Sequence, residues 1–545
     1  MDRLSACDRD AFQIAAVIGQ RFDLRLLRHL MAAPDYTCVN LIADALAIPE
    51  GDDFLFAHAL IQEGAYSSML RPRRRELHVR AAEWYGERDL TLCAQHFDRA
   101  DDERAATAYL QAAAAQRSSY HMDAAFRLAA RGCEVARDAA DRHALICLKG
   151  ELQRDLGDTV SSVLSYREAI EASPDDIARC RAQIGLAEGL RVSEGLSEAL
   201  HLLDQAQQVA EEHELTVDLA RLHHLRGNIY FPLGNIDGCR DEHERGFAYA
   251  RHLESPEAEA RALGGLADAA YAQGRMRSAF EYFSQCVSLS REHGFGKIEV
   301  ANRSMIGFSR VYLNEAQQAR EDGDAAARVA QLVGQPRAEL LGENMGVFAT
   351  YELGDFESME SYLTRTMKLA HQLRARRFEA QTLEMKARML LEKGQRKEAA
   401  DMLQEALAIC RDVGTQFSGP KVASALARAV EDADARAAVL AEGQEMLSRG
   451  AVGHNQIWFY RDAIEALLSA GDRAGALMYV RALEDYTRAE PLPWSDLFAK
   501  RGRLLAEALQ GIDEDIRAEL TGVRSSLEGA GFRPFLPAVS AALDG

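Results

Sequence analysis

Apolar residues recur along this chain at spacings of three and four, the period of a helix that buries one face. Runs of Val, Ile and Thr at alternating positions, which mark strands, are scarce. The helical stretches are broken at regular intervals by a glycine, in "YFPLGNIDGC", "YAQGRMRSAF", "YELGDFESME" and "LEKGQRKEAA". These are Gly234, Gly274, Gly354 and Gly394, at intervals of 40, 80 and 40, so one turn of a 40-residue series is missing midway between the second and third. The expected position, 314, holds Asn314, the residue that best replaces glycine in the left-handed conformation ending a helix. Gly195 and Gly157 extend the series upstream; downstream it blurs near Asp434 and returns at Gly471. Each unit reads as a helix, a tight turn, a second helix and a longer connection. The second helices carry Ala279, Phe283 and Cys286 in one unit and Ala399, Leu403 and Ala406 in another, a stripe facing the neighbouring helix.

"ADAAYAQGRMRSAFEYFSQCVSLS" and "KARMLLEKGQRKEAADMLQEALAIC" resemble tetratricopeptide repeats, with a period longer than the usual one. Another helical-pair solenoid, of armadillo or HEAT type, shares this period range. The predicted fold is all-α, a tetratricopeptide-like right-handed solenoid of about nine or ten helical pairs over residues 101–490. Closing helices follow over 491–545, and residues 1–100 fall outside the repeat.

In that first segment, two helices joined at Gly19–Gln20 precede a short extended piece, Phe54-Leu55-Phe56, a helix, a basic turn at Arg71–Arg75 and a further helix. Helices with a short β-piece suggest a winged-helix-like module. "AAVIGQRFDLRLL", "FAHALIQEGAY" and "RRRELHVRAA" resemble the stretch after the nucleotide-binding domain of bacterial signalling ATPases of the STAND type, many of which carry a class III adenylate or guanylate cyclase domain. The resemblance implies that His58 contacts a nucleotide held by a preceding domain; the alternative is a helix-capping or core histidine. It also implies a phosphate-binding loop, GxxxxGK[ST], which this sequence lacks. "GFGKIEV" at Gly294 comes nearest and lies between repeat helices. The sequence therefore reads as the regulatory part of a longer protein or as a stand-alone descendant.

Composition narrows the function. Against 64 basic residues stand 84 acidic ones, a net charge of −20 that repels phosphate backbones, so nucleic acid is not expected as a partner. The run Arg71-Pro72-Arg73-Arg74-Arg75 is the one local exception and is read as part of the fold. None of the nine cysteines forms a CxxC pair, which suits a reduced, cytoplasmic chain. No apolar stretch reaches the ~18 residues of a membrane span. His223 and His224 are adjacent and diverge on a helix, and no HExxH or zinc-type spacing occurs, so neither metal nor cofactor is expected. No catalytic motif is recognisable, and the chain is not read as an enzyme.

A partner would sit on the concave face lined by the first helix of each unit. Three residues before each turn lie Phe231, Tyr271, Val311, Tyr351 and Leu391; six before lie Asn228, Asp268, Phe308, Phe348 and Arg388. Asn228, Phe231, Tyr271, Phe308, Phe348, Tyr351 and Arg388 are the expected lining of a groove for a protein or peptide. The alternative is that they pack against the adjacent repeat. The functional expectation is a sensor or scaffold region of a signalling ATPase or cyclase-type protein; the alternative is a stand-alone scaffold or a transcription-regulator sensor without a nucleotide switch. Homo-oligomerisation is left open.

Overall fold

The computed structural model describes residues 4–193 and 195–544, and 79% of the chain is helical. The chain folds into two compact units. The first runs to Arg154 and includes Leu164–Ala182; the second comprises Asp155–Val163 and Gln183 onward.

In the first unit three short strands, β1 (Arg21–Asp23), β2 (Ala47–Glu50) and β3 (Asp53–Phe56), form an antiparallel sheet in the order β1-β3-β2. Phe22 faces Phe54 across the β1–β3 pair, with ring centroids 5.7 Å apart. Phe12, from the helix Ala6–Ile18, meets Phe56 at 5.4 Å and closes this small core. The basic run forms the first turn of the helix Arg71–Tyr85, where a connecting turn was expected. Proline is tolerated there because the first helical amides need no partner. Arg73 pairs with Asp10, Arg75 with Asp101, and Arg74 lies 4.9 Å over the Tyr66 ring, so the fold uses three of the four arginines.

On the buried face of that helix, His78 shares a 2.8 Å hydrogen bond with the imidazole of His96, and Tyr66 Oη lies 2.9 Å from the other nitrogen of His78. Burial pushes both histidines down, His78 to about 3 and His96 to about 4. An unfolded imidazole takes a proton near pH 6.5, so between pH 6.5 and about 4 the unfolded state binds more protons. Stability from this pair is complete above pH 6.5 and falls as the medium is acidified. Thermal melts of the first unit from pH 7 to pH 4.5 should show a falling midpoint; a flat profile would contradict the neutral pair.

The second unit is a stack of helical pairs. Its inner helices are α1 (Asp176–Val192, from Gln183 on), α2 (Thr216–Tyr230), α3 (Pro256–Ala272), α4 (Gly296–Val311), α5 (Pro336–Leu353), α6 (Arg376–Glu392), α7 (Gly419–Ala429) and α8 (His454–Ser469). From α2 onward consecutive inner helices touch, and an outer helix intervenes in sequence between each two. The turns following α2 to α6 hold Gly234, Gly274, Asn314, Gly354 and Gly394, all at positive φ, Asn314 at 64°. Gly195 breaks the series: its φ is −77° and it opens the next helix instead.

A second series of left-handed turns, offset by half a repeat, has no uniform residue to announce it. Glu214, Glu254, Gly294, Gly334, Arg374 and Gly414 also have positive φ, again 40 apart, where each outer helix hands over to the next inner one. Three of these places carry a side chain in a conformation that costs an L-residue about 1–2 kcal/mol. Glu254→Gly is therefore expected to stabilise by roughly 0.5–1 kcal/mol, the relief exceeding the entropy glycine loses on folding. Urea unfolding checks this, and a lower midpoint would refute it.

Candidate functional site: the inner wall of the solenoid

The second unit coils so tightly that residues one superhelical turn apart meet. Gly157 faces Pro336, Gly234 faces Gln416, Gly274 faces Gly453 and Gly354 faces Pro534, offsets of 179–182 residues, or four and a half repeats. The amide of Gly453 donates to the Ala272 carbonyl at 2.8 Å, and that of Trp494 to the Tyr312 carbonyl at 3.2 Å. Glu490 accepts from the backbone amides of Arg277 and Ser278, at 2.7 and 3.2 Å, and so caps the helix Met276–Glu292 from a turn away. The Tyr486 hydroxyl donates to the Gln273 carbonyl at 3.1 Å.

This coiling decides what the expected groove residues do. Asn228 and Phe231 are half-buried on the inner wall. Tyr271, Phe308, Phe348, Tyr351 and Arg388 are buried, and for these five the expectation of an open groove is corrected. Phe308 and Phe348 do touch across adjacent repeats, with centroids 5.5 Å apart. The cover over the row comes chiefly from segments further along the same chain. His454 lies 5.7 Å from Tyr271, and Trp458 lies 5.4 Å from Phe348 and 6.2 Å from Tyr351. Phe535 meets Tyr351 at 6.4 Å. Nothing in the local repeat pattern signals this, because the covering residues lie more than a hundred positions downstream.

Arg388 enters a cluster of buried charges where α5, α6, α7 and α8 converge. Its guanidinium pairs with Glu384 and, at 2.6 Å, with Asp462. Lys421 Nζ stands 2.8 Å from Glu384 and 4.4 Å over the Phe348 ring. Arg461 pairs with Glu352 at 2.8 Å and stacks 4.0 Å over Trp458. Arg428 bonds Glu392 at 2.7 Å and approaches Asp462 at 3.6 Å. Four cations thus meet four carboxylates. Burial pulls the Lys421 ammonium down and the Glu352 carboxyl up; Asp462 is held low against its own burial by Arg388, Arg461 and Arg428.

Comparison with known families matches residues 137–432 to the model of the MalT-like TPR region. The chain belongs to this family. The MalT-like match covers more than half of the sequence and spans the repeats from which the inner wall is built. No curated protein matches the chain. Among solved structures, it is similar to a signal transduction ATPase with numerous domains (STAND) protein with a tetratricopeptide repeat sensor from Pyrococcus horikoshii. That likeness has a TM-score of 0.51 and 14% identity, and covers 74% of this chain. The chain spans 63% of the length of that protein. A Rap protein complexed with competence and sporulation factor is similar over 63% of this chain and 97% of its own, with 14% identity and a TM-score of 0.48.

Outside the wall, His58 caps the helix Ala59–Ser67, its Nδ1 accepting from the Leu60 amide at 3.2 Å. This is the helix-capping role left open by the sequence. All nine cysteines are free, and no helix among the described residues is long and apolar enough to cross a membrane.

Proposed function

We propose that this chain is the sensing and protein-interaction region of a STAND-type signalling protein, with a winged-helix-like module over residues 1–100 coupling the solenoid to a nucleotide-binding domain, and in some arrangements to a nucleotide cyclase. One observation carries the reading: a MalT-like repeat region whose inner wall is half-open at Asn228 and Phe231 on α2 and filled at Tyr271, Phe308, Phe348, Tyr351 and Arg388. A stimulus or a protein segment engages the half-open end. The filled end gives the wall a rigid frame against which that engagement is felt, because close-packed interiors transmit displacement. A regulatory region of this kind has no chemistry of its own to perform.

The test is coupling. The coding region upstream of Met1 is expressed in frame with this chain, and nucleotide hydrolysis is followed for the parent protein and for Phe231→Ala. The reading expects the half-exposed wall residue to alter the response to stimulus while leaving basal hydrolysis unchanged. An upstream region with no phosphate-binding loop would sink it in favour of a stand-alone scaffold.

A further inference from the structure

Large apolar side chains that stand exposed are concentrated in one short part of the first unit. Val39, Ile42 and Ile48 are 63%, 38% and 51% exposed, and with Leu60 and Leu70 they make five of the thirteen such residues among those described. Singly scattered surface leucines and valines are ordinary, but more than a third of them within residues 39–70 is a patch. Local structure places the first three on adjoining elements. The helix Val39–Ala43 turns Leu41 into the core, so Val39 and Ile42, three positions apart, share its outer side. That helix packs on β2. In the β2–β3 pair, Ala47 and Phe56 oppose each other on the buried face, so the next pair, Ile48 and Leu55, lies on the other face.

The charges around this patch favour one sign. From residue 30 to residue 70 the chain has six carboxylates and no lysine or arginine. Arg21, from β1, pairs with Asp53 at 2.7 Å and with Glu50 at 3.4 Å, and so occupies two of the six. Asp35, Asp44, Asp52 and Glu63 are exposed and hold no ion pair among the described residues. Asp44 directly follows the helix, and Asp52 stands in the turn that joins β2 to β3. An apolar centre with an acidic margin has a definite complement, an apolar surface with a basic margin.

We propose that Val39, Ile42 and Ile48 are the centre of a docking surface for a basic amphipathic helix of another protein. Its apolar side lies on these three side chains, and its lysines or arginines meet Asp35, Asp44 and Asp52. Other occupants fit less well. An anionic lipid or nucleic-acid surface is repelled by the carboxylates. A second copy docking through the same patch brings like charges face to face. An extended segment adding to the free edge of β2 meets Pro49 there, which has no amide to donate. A helix needs no backbone donors from the surface it covers, and it presents apolar residues at spacings of three and four. This surface lies wholly in the first unit and does not depend on the sensing role proposed for the inner wall. Its failure would leave the coupling test untouched.

The probe is a labelled model helix of leucine and lysine, titrated with the full chain and followed by fluorescence anisotropy. A leucine–glutamate helix of the same length is its counterpart. The lysine helix is expected to bind, and the glutamate helix at least tenfold more weakly. Because the whole chain carries a net charge of −20, charge alone holds a polycation loosely anywhere on it, and variants must locate the site. Val39→Ser with Ile48→Ser should weaken binding at least tenfold through lost apolar burial. Asp44→Asn with Asp52→Asn should weaken it severalfold. Leu332→Ser, which removes an 86% exposed leucine of the second unit, should leave it unchanged. All five positions are exposed, so these variants keep the fold. Equal binding by the Val39→Ser, Ile48→Ser variant and the parent chain overturns the proposal, as does a lysine helix that does not bind. Self-association of the chain, or attachment to vesicles of neutral phosphatidylcholine, would overturn it in favour of a second copy or a lipid surface if the same variant abolished it.

Discussion

Asp462→Ala is expected to destabilise the second unit by about 3–5 kcal/mol, the cost of breaking a buried charge cluster from one side. Asp462 is fully buried and receives Arg388 at 2.6 Å, Arg461 at 3.5 Å, Arg428 at 3.6 Å and the Ser424 hydroxyl at 3.2 Å. Removing it leaves Arg388, Arg461, Arg428 and Lys421 facing only Glu384, Glu352 and Glu392, one positive charge in excess. The sign is set by desolvation: an unpaired buried cation costs more than the pair contributes. Chemical denaturation should show a lower midpoint at an unchanged slope. A loss below about 1 kcal/mol would mean that water reaches the cluster and that the turns are not sealed there. Replacing the cluster as a whole by apolar residues of similar volume should cost far less, because both members of each pair then disappear together.

Gly453→Ala is the second large effect, and it separates local from tertiary reasoning. Gly453 stands at φ −55° and ψ −30°, just before α8, in a conformation that alanine adopts readily. Local propensity therefore expects alanine to be neutral or favourable. A Cβ built there, however, would meet the Gly274 nitrogen at 2.2 Å and its Cα at 2.5 Å, backbone atoms of the preceding superhelical turn. Backbone cannot rotate away as a side chain can, so the turns must separate, breaking the bond from the Gly453 amide to the Ala272 carbonyl. The expected cost is about 1–3 kcal/mol, with tryptophan fluorescence reporting looser packing around Trp458 and Trp494. A stable variant with unchanged fluorescence would show that the turns do not seat on this glycine.

Much of the fold was legible because its determinants are local. A helix end needs a left-handed residue, and only Gly or Asn meets that need cheaply, so Asn314 could be read as a turn from its position alone. The half-repeat series was illegible for the same reason: Glu214, Glu254 and Arg374 occupy left-handed positions where nothing in their chemistry announces it. Gly195 misled in the opposite direction, a glycine at nearly the right interval whose backbone is not left-handed.

The rows of the inner wall were found by spacing, yet their fate was not. Phe231 and Tyr351 are equivalent by repeat register, one half-buried and the other sealed beneath Trp458 and Phe535. A forty-residue pattern carries no information about a contact one superhelical turn away, because that contact depends on how small rotations between repeats accumulate around the superhelix. The sequence by itself determined the helical pairs, their period, most of the turns and the face on which a partner would be sought. Tertiary structure alone decided that the superhelix closes after four and a half repeats, filling the expected groove with its own aromatics and buried charges and leaving the wall half-open at Asn228 and Phe231.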